Sequence, residues 1–384
     1  MNVRQEIPDL TVCRAFLAAW VFTYHVDLYL NFSAWLGPCA EIVRHGYLGV
    51  DGFFILSGLI LARVHPELSR RGMHPKLDSE FFGTPQPFHP RVWKFWGKRL
   101  ARIYPLHFVT IILFAAVFGA GLAADVIPRD PSRFSIPALL ENLALVQGWG
   151  FSSHGAWNYP SWSVSAEWAG YLLFPITWYI ISFLEPVASA SIVVCCMAVL
   201  GGITVAHQHN LNLAFGGGLL RFFPEFLIGL GTAKAVPRYA DMLPTRYFAA
   251  LAVGVLFIFA SAGFDVLTVA GLWLLLFSLT AHADAERPTL IGNIRVLRWL
   301  GLLSYAFYMS FALAELLLSQ IFRREGWTPA SHSLVFATGM LTVTFFVAVI
   351  LHVTVEVPCR RAADRWLERP ASPKTPIRSK QQLS

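Results

Sequence analysis

The chain has 384 residues, 55% of them hydrophobic and only 14% charged, with a formal net charge of +7. Soluble globular chains carry about 25% charged residues, so this composition, with a mean hydropathy of +0.54, excludes an ordinary soluble domain. It predicts a polytopic membrane protein, surrounded by lipid, and the positive charge is read as a topology signal with no nucleic-acid partner.

The N-terminal stretch MNVRQEIPDL has Pro8 and Asp9 ahead of the first apolar run, and no small-residue cleavage site follows. The first helix is therefore expected to be retained and not removed as a signal peptide. Apolar stretches able to span lie at 10–30, 47–64, 103–123, 166–184, 188–206, 214–233, 247–263, 265–282, 298–320 and 333–354. They predict an all-α bundle of about ten transmembrane helices. Residues 64–98 read as a basic loop ending in VWKFWGKR, an aromatic-basic mixture suited to the membrane interface. Residues 124–164 form the longest opposite loop, with a short helix expected at SIPALLENLALV. Residues 1–369 make one transmembrane domain, and 370–384, PASPKTPIRSKQQLS, read as a disordered tail.

Arg and Lys set the orientation. They crowd the loops after the second, sixth, eighth and tenth spans, while the opposite loops carry Arg44, Arg129, Arg133, Arg323 and Arg324. The positive-inside rule then places both termini in the cytoplasm. The five cysteines (Cys13, Cys39, Cys195, Cys196, Cys359) form no CxxC pair or regular framework. Neither a metal site nor a disulfide is expected from them.

Ionisable residues inside spans mark function. Arg14 and His25 lie eleven residues apart, almost three helical turns, so they share one face about 16 Å apart along the axis. Asp51 and Ser57, six apart, leave different faces. PSWSVSAEW supplies Ser161, Ser163, Ser165 and Glu167, and Arg221 and Glu225 are spaced to pair. Each has a plainer reading. His25 would merely bond a neighbouring helix, Arg14 would snorkel, and Ser57-Gly58 would allow close packing. Arg221–Glu225 would be a structural pair, GKRLAR a stop-transfer flank, and Asp27 an idle group at the outer interface.

The order of these motifs resembles the membrane-bound acyltransferase 3 family. RAFLAAWVFTYH looks like its Arg-X10-His helix, and GYLGVDGFFILSGLI like its Gly-Val-Asp segment. KRLARIYPL, WSVSAEWAGYLLFP, RFFPEFLIGLG, LGLLSYAFYMS and the closing VEVP follow in sequence. The likeness runs from about residue 9 to residue 361. Two departures stand out: Phe311 occupies a place where the family often has a His, and loop 64–98 is long.

The resemblance implies acyl transfer from acyl-CoA, most simply acetyl-CoA, to a hydroxyl of a glycan or lipid-linked glycan, with no tightly bound cofactor. Such a reaction needs a base and donors for the oxyanion. His25 is the candidate base, with Glu167 or Asp51 as the carboxylate that orients it. Arg14, Lys98, Arg99 and Arg102 are candidates for the CoA phosphates. Ser57, Trp162, Ser163, Ser165 and Tyr305 are candidates for substrate binding. A proton-coupled secondary transporter using His25, Asp51 and Glu167 as a relay is the competing class, although no inverted repeat is visible.

Overall fold

The computed structural model describes residues 6–69, 88–124, 130–151, 154–208 and 210–367. Among them there is no strand. Helix α1 (Pro8–Leu30) starts at a proline, whose fixed φ suits the first turn. The Asp9 carboxylate accepts the backbone N–H groups of Leu290, Ile291 and Gly292, which anchors the helix start to a distant loop. At the other end Asn31 adopts a left-handed conformation (φ 48°) and closes the helix on the Asp27 carbonyl. Asp27 is not idle: it is buried, and its carboxylate accepts the Ser33 N–H at 2.7 Å.

The short helix α2 (Ala40–Arg44) leads into α3 (Gly49–Val64). Helix α4 (Phe88–Ala123) is longer than the expected third span, because VWKFWGKR continues its helix and Pro105 is accommodated within it. The expected outer-loop helix is α5 (Ile136–Leu143), and a tight turn at Tyr159–Ser161 opens α6 (Trp162–Ile181). Then follow α7 (Pro186–Ala206), α8 (Gly218–Tyr239), α9 (Thr245–Ser261), α10 (Asp265–Asp284), α11 (Arg295–Arg324) and α12 (Ser333–Leu351). A π-helical turn, His352–Glu356, joins α12 to an added helix, α13 (Val357–Leu367). Helix α13 carries Arg360, Arg361 and Arg365, with Trp366 71% exposed, as befits a helix at the interface.

Every one of the ten anticipated spans is helical, and among the described residues six helices are long and apolar enough to cross a membrane. Helix α9 has 17 residues, and α1, α6 and α8 carry the ionisable and hydroxyl side chains that the bundle encloses. Contacts near the helix ends show how the ends alternate. Arg63 meets Asp284 at 2.6 Å, Lys98 meets Asp364 at 3.8 Å, and Lys234 donates to the Ser182 carbonyl at 3.0 Å. With the Asp9 anchor these define one end. Tyr47 and the Leu211 N–H both donate to Asp265 (2.7 and 2.6 Å) at the opposite end. Helices α3 and α8 cross closely: a Cβ on Gly58 would strike the Phe226 carbonyl, and one on Gly229 the Ile55 carbonyl. The chain is an all-α polytopic membrane bundle. Residues 70–87, Arg129, Ser153 and the predicted tail lie outside the described residues.

Candidate active site

A cavity of about 110 Å³ opens inside the bundle on the side of Arg14. Helical spacing builds its walls. Arg99 and Arg102 sit one turn apart on α4. Ser163, Glu167 and Tyr171 recur every four residues down one face of α6. Tyr305 and Tyr308 are a turn apart on α11, and Ser57 faces them from α3. Glu167 Oε1 accepts both the Ser57 hydroxyl (2.7 Å) and the Tyr171 hydroxyl (2.5 Å). Tyr305 donates to the Ile103 carbonyl at 2.8 Å.

Three guanidinium groups share this space. Arg14, Arg99 and Arg102 are half-buried, with no carboxylate within 4.0 Å of any of them among the described residues. Arg99 lies over the Phe95 and Tyr171 rings at 5.9 and 6.0 Å, and its buried Nε has no hydrogen-bond partner. Glu356 is carried in by the π-helical turn and receives His352 at 2.8 Å; such turns occur often at functional sites. Three cations thus line one cavity with no ion-pair partner among the described residues.

His25 stands further along α1, beyond this cavity. Its Nδ1 lies 3.0 Å from the Tyr159 hydroxyl. Tyr159 in turn donates to Glu315 Oε2 at 2.8 Å, while Tyr29 donates to Glu315 Oε1 at 2.5 Å. Phe311 packs against the imidazole, with ring centroids 4.5 Å apart and planes at 31°. The Arg133 guanidinium lies 5.5 Å from the Tyr159 ring centre. His25, Tyr159 and Glu315 are all half-buried. The cavity and the histidine nearly meet: Tyr308 lines the first and packs on Phe311 at 5.6 Å, which packs on the second. Ser163 and Tyr308 are hydrogen-bonded at 3.0 Å on this boundary.

The structure thus brings Arg14, Arg99, Arg102, Ser57, Ser163, Glu167 and Tyr305 together. It does not bring Asp51, Lys98, Trp162 or Ser165 to the cavity. Asp51, fully buried, is paired with Arg221 through two hydrogen bonds, so the expected Arg221–Glu225 pair is secondary, at 4.0 Å. Lys98 faces Asp364. Trp162 packs on Phe54, with the Arg221 guanidinium 5.7 Å from its ring. Ser165 donates to the Leu145 carbonyl and receives the Gly148 N–H, which fastens the outer loop to α6. Glu167 reaches Ser57 and Tyr171, and no hydrogen bond joins it or Asp51 to His25 among the described residues. Tyr159, Tyr29 and Glu315 are absent from the sequence reading, although Glu315 is a charged residue within the span 298–320.

Comparison with known proteins identifies the family. A family model described as an acyltransferase domain matches residues 7–353. The chain is 29% identical to acyltransferase MdmB of Streptomyces mycarofaciens, over 94% of this chain and 93% of that protein. It is 26% identical to the putative peptidoglycan O-acetyltransferase YrhL of Bacillus subtilis, over 79% of this chain and 48% of YrhL. It is 24% identical to the O-acetyltransferase OatA of Staphylococcus aureus, over 64% of this chain and 39% of OatA. The chain therefore spans less than half of those two relatives. No solved structure matches it. The chain belongs to the membrane-bound acyltransferase 3 family and is an acyltransferase.

Proposed function

We propose that the chain transfers an acetyl group from acetyl-CoA to a hydroxyl of a glycan or lipid-linked glycan, in a bacterial inner membrane with both termini cytoplasmic. The observation that carries this reading is the trio of guanidiniums, Arg14, Arg99 and Arg102, facing a cavity without a carboxylate partner. The phosphates of CoA supply the missing anion, and Arg presents forked donors to phosphate oxygens. The family and the names of YrhL and OatA support O-acetyl transfer and a cell-wall type of acceptor.

In this reading the thioester points from the arginines towards Ser163 and Tyr308. The acceptor hydroxyl approaches His25 from the opposite end of the bundle. His25 takes the hydroxyl proton as the oxygen attacks the acyl carbon. The new carbon–oxygen bond forms, the carbon–sulfur bond breaks, and the proton passes from His25 to the leaving sulfur. Glu167, with Ser57 and Tyr171, holds the cavity wall and limits the excess positive charge. Asp51 serves the Arg221 pair and takes no part in the chemistry.

The test is to incubate the protein in lipid nanodiscs with acetyl-labelled CoA and an extract of cell-wall and lipid glycans. Free CoA thiol should appear together with label on the extract. A proton-coupled transporter in vesicles would instead move label with the thioester intact, and that result would overturn the reading.

A further inference from the structure

We propose that Glu315, acting through Tyr159, is the positioning carboxylate of His25 and leaves Nε2 of the ring as the free base. This rests on the reading of His25 as base. The argument is one of hydrogen-bond supply. A phenol has a single proton to give. Glu315 accepts at both oxygens, from Tyr159 at 2.8 Å and from Tyr29 at 2.5 Å. A carboxylate receiving a phenol is a charge-assisted contact, stronger than a neutral one. With Glu315 ionised, the Tyr159 proton is committed to it, and the phenol oxygen accepts from the other side. The group there is His25 Nδ1, at 3.0 Å. It must carry the hydrogen, and in a neutral imidazole the second nitrogen is then bare.

Among the described residues the imidazole has no other hydrogen-bond partner than Tyr159. Phe311 covers one face of the imidazole and Tyr24 meets it edge-on at 5.1 Å. Neither contact fixes a tautomer. When Nε2 takes a proton, the resulting imidazolium donates more strongly to Tyr159, and Tyr159 to the Glu315 carboxylate. No proton needs to leave His25 along this line. The phenol passes on the orienting and charge-stabilising effect that a directly bonded carboxylate exerts in other hydrolase and transferase sites. Residues 134 and 290 positions away in sequence are thereby joined to the first helix.

The experiment measures kcat, and KM for acetyl-CoA, on Tyr159→Phe, Glu315→Gln, the double variant and Tyr29→Phe. Removing a directly bonded carboxylate costs about 10⁴-fold. One bond further away, Tyr159→Phe and Glu315→Gln should each lower kcat by about 10–10³-fold, with KM for acetyl-CoA unchanged. The double variant should be no slower than the worse single one, as for residues acting as a unit. Tyr29→Phe removes the second phenol from Glu315 but leaves the line to His25, so its loss of kcat should be clearly smaller than that of Glu315→Gln. Glu315→Gln at full rate would overturn the assignment, and so would a loss in Tyr29→Phe as large as in Glu315→Gln. His25→Ala, measured alongside, separates the two claims. If it retains activity, the base reading itself fails; if it is inactive while Tyr159→Phe and Glu315→Gln are normal, only the positioning line fails.

Discussion

Replacement of the buried Arg221 by Met should destabilise the bundle far more than replacement of Asp51 by Asn. Arg221 is 1% exposed, and Asp51 and Glu225 are fully buried. The guanidinium donates twice to Asp51 and once to the Tyr47 carbonyl at 2.9 Å, with Glu225 at 4.0 Å. Breaking a buried ion pair from one side costs about 3–5 kcal/mol, because the remaining charge has no partner. In Arg221→Met two carboxylates are left facing each other, so the full cost applies. In Asp51→Asn the guanidinium still has Glu225, and the amide oxygen still accepts, so about half of that cost is expected. The assay is reversible unfolding in mixed micelles, with acetyl transfer measured per folded molecule. Asp51→Asn should keep kcat within a few-fold, since Asp51 touches neither the cavity nor His25. Equal destabilisation by the two variants would refute the shared-guanidinium reasoning. A kcat loss above about 10²-fold in folded Asp51→Asn, the size expected for lost acid–base chemistry, would return that carboxylate to the mechanism.

Other outcomes follow from the same geometry. Arg14→Ala and Arg102→Ala should each weaken CoA binding, read by displacement of a labelled CoA, by about tenfold or more, the equivalent of about 1.4 kcal/mol for a charge-assisted contact. Arg246→Ala, where the guanidinium bonds its exposed neighbour Tyr247, should leave that affinity unchanged. Gly58→Leu should collapse the folded yield in membranes because the α3–α8 crossing has no room for a side chain, whereas Gly254→Ala, with open space around it, should be neutral. In a cysteine-free background, Ala330→Cys in the α11–α12 turn should react with an impermeant thiol reagent in intact cells. Met242→Cys in the α8–α9 turn should react only after permeabilisation; the reverse pattern would invert the proposed orientation.

Much of the bundle was legible in the sequence because lipid imposes a simple rule: spans are long apolar helices. The shared face of Arg14 and His25 followed from helical period alone, whereas Arg99 and Arg102 were named through the resemblance. Partners across helices did not. Arg221 has Glu225 at the ideal spacing on its own helix, yet it bonds Asp51, 170 positions away, because the glycine-lined crossing of α3 and α8 brings the two faces together. The carboxylate behind His25 was missed for a similar reason. Glu315 obeys the rule that a charge within a span signals function, but it sits alone in FALAELLL with no motif around it. Its link to His25 runs through Tyr159, an ordinary loop tyrosine until the turn at Tyr159–Ser161 places it. The extension of α4 back to Phe88 and the helix α13 were also hidden, since charged interfacial helices lack the apolar signal used to find spans.

The most direct measurement is single-turnover acetyl transfer by His25→Ala, with CoA affinity determined on the same preparation. Loss of a positioned general base typically costs 10²–10⁴-fold in rate. The account predicts a loss in that range with CoA affinity unchanged, because Arg14 lies about 16 Å along α1 from the imidazole and Arg99 and Arg102 stand on α4. Transfer at close to the parent rate, or a loss explained by weakened CoA binding, would contradict it.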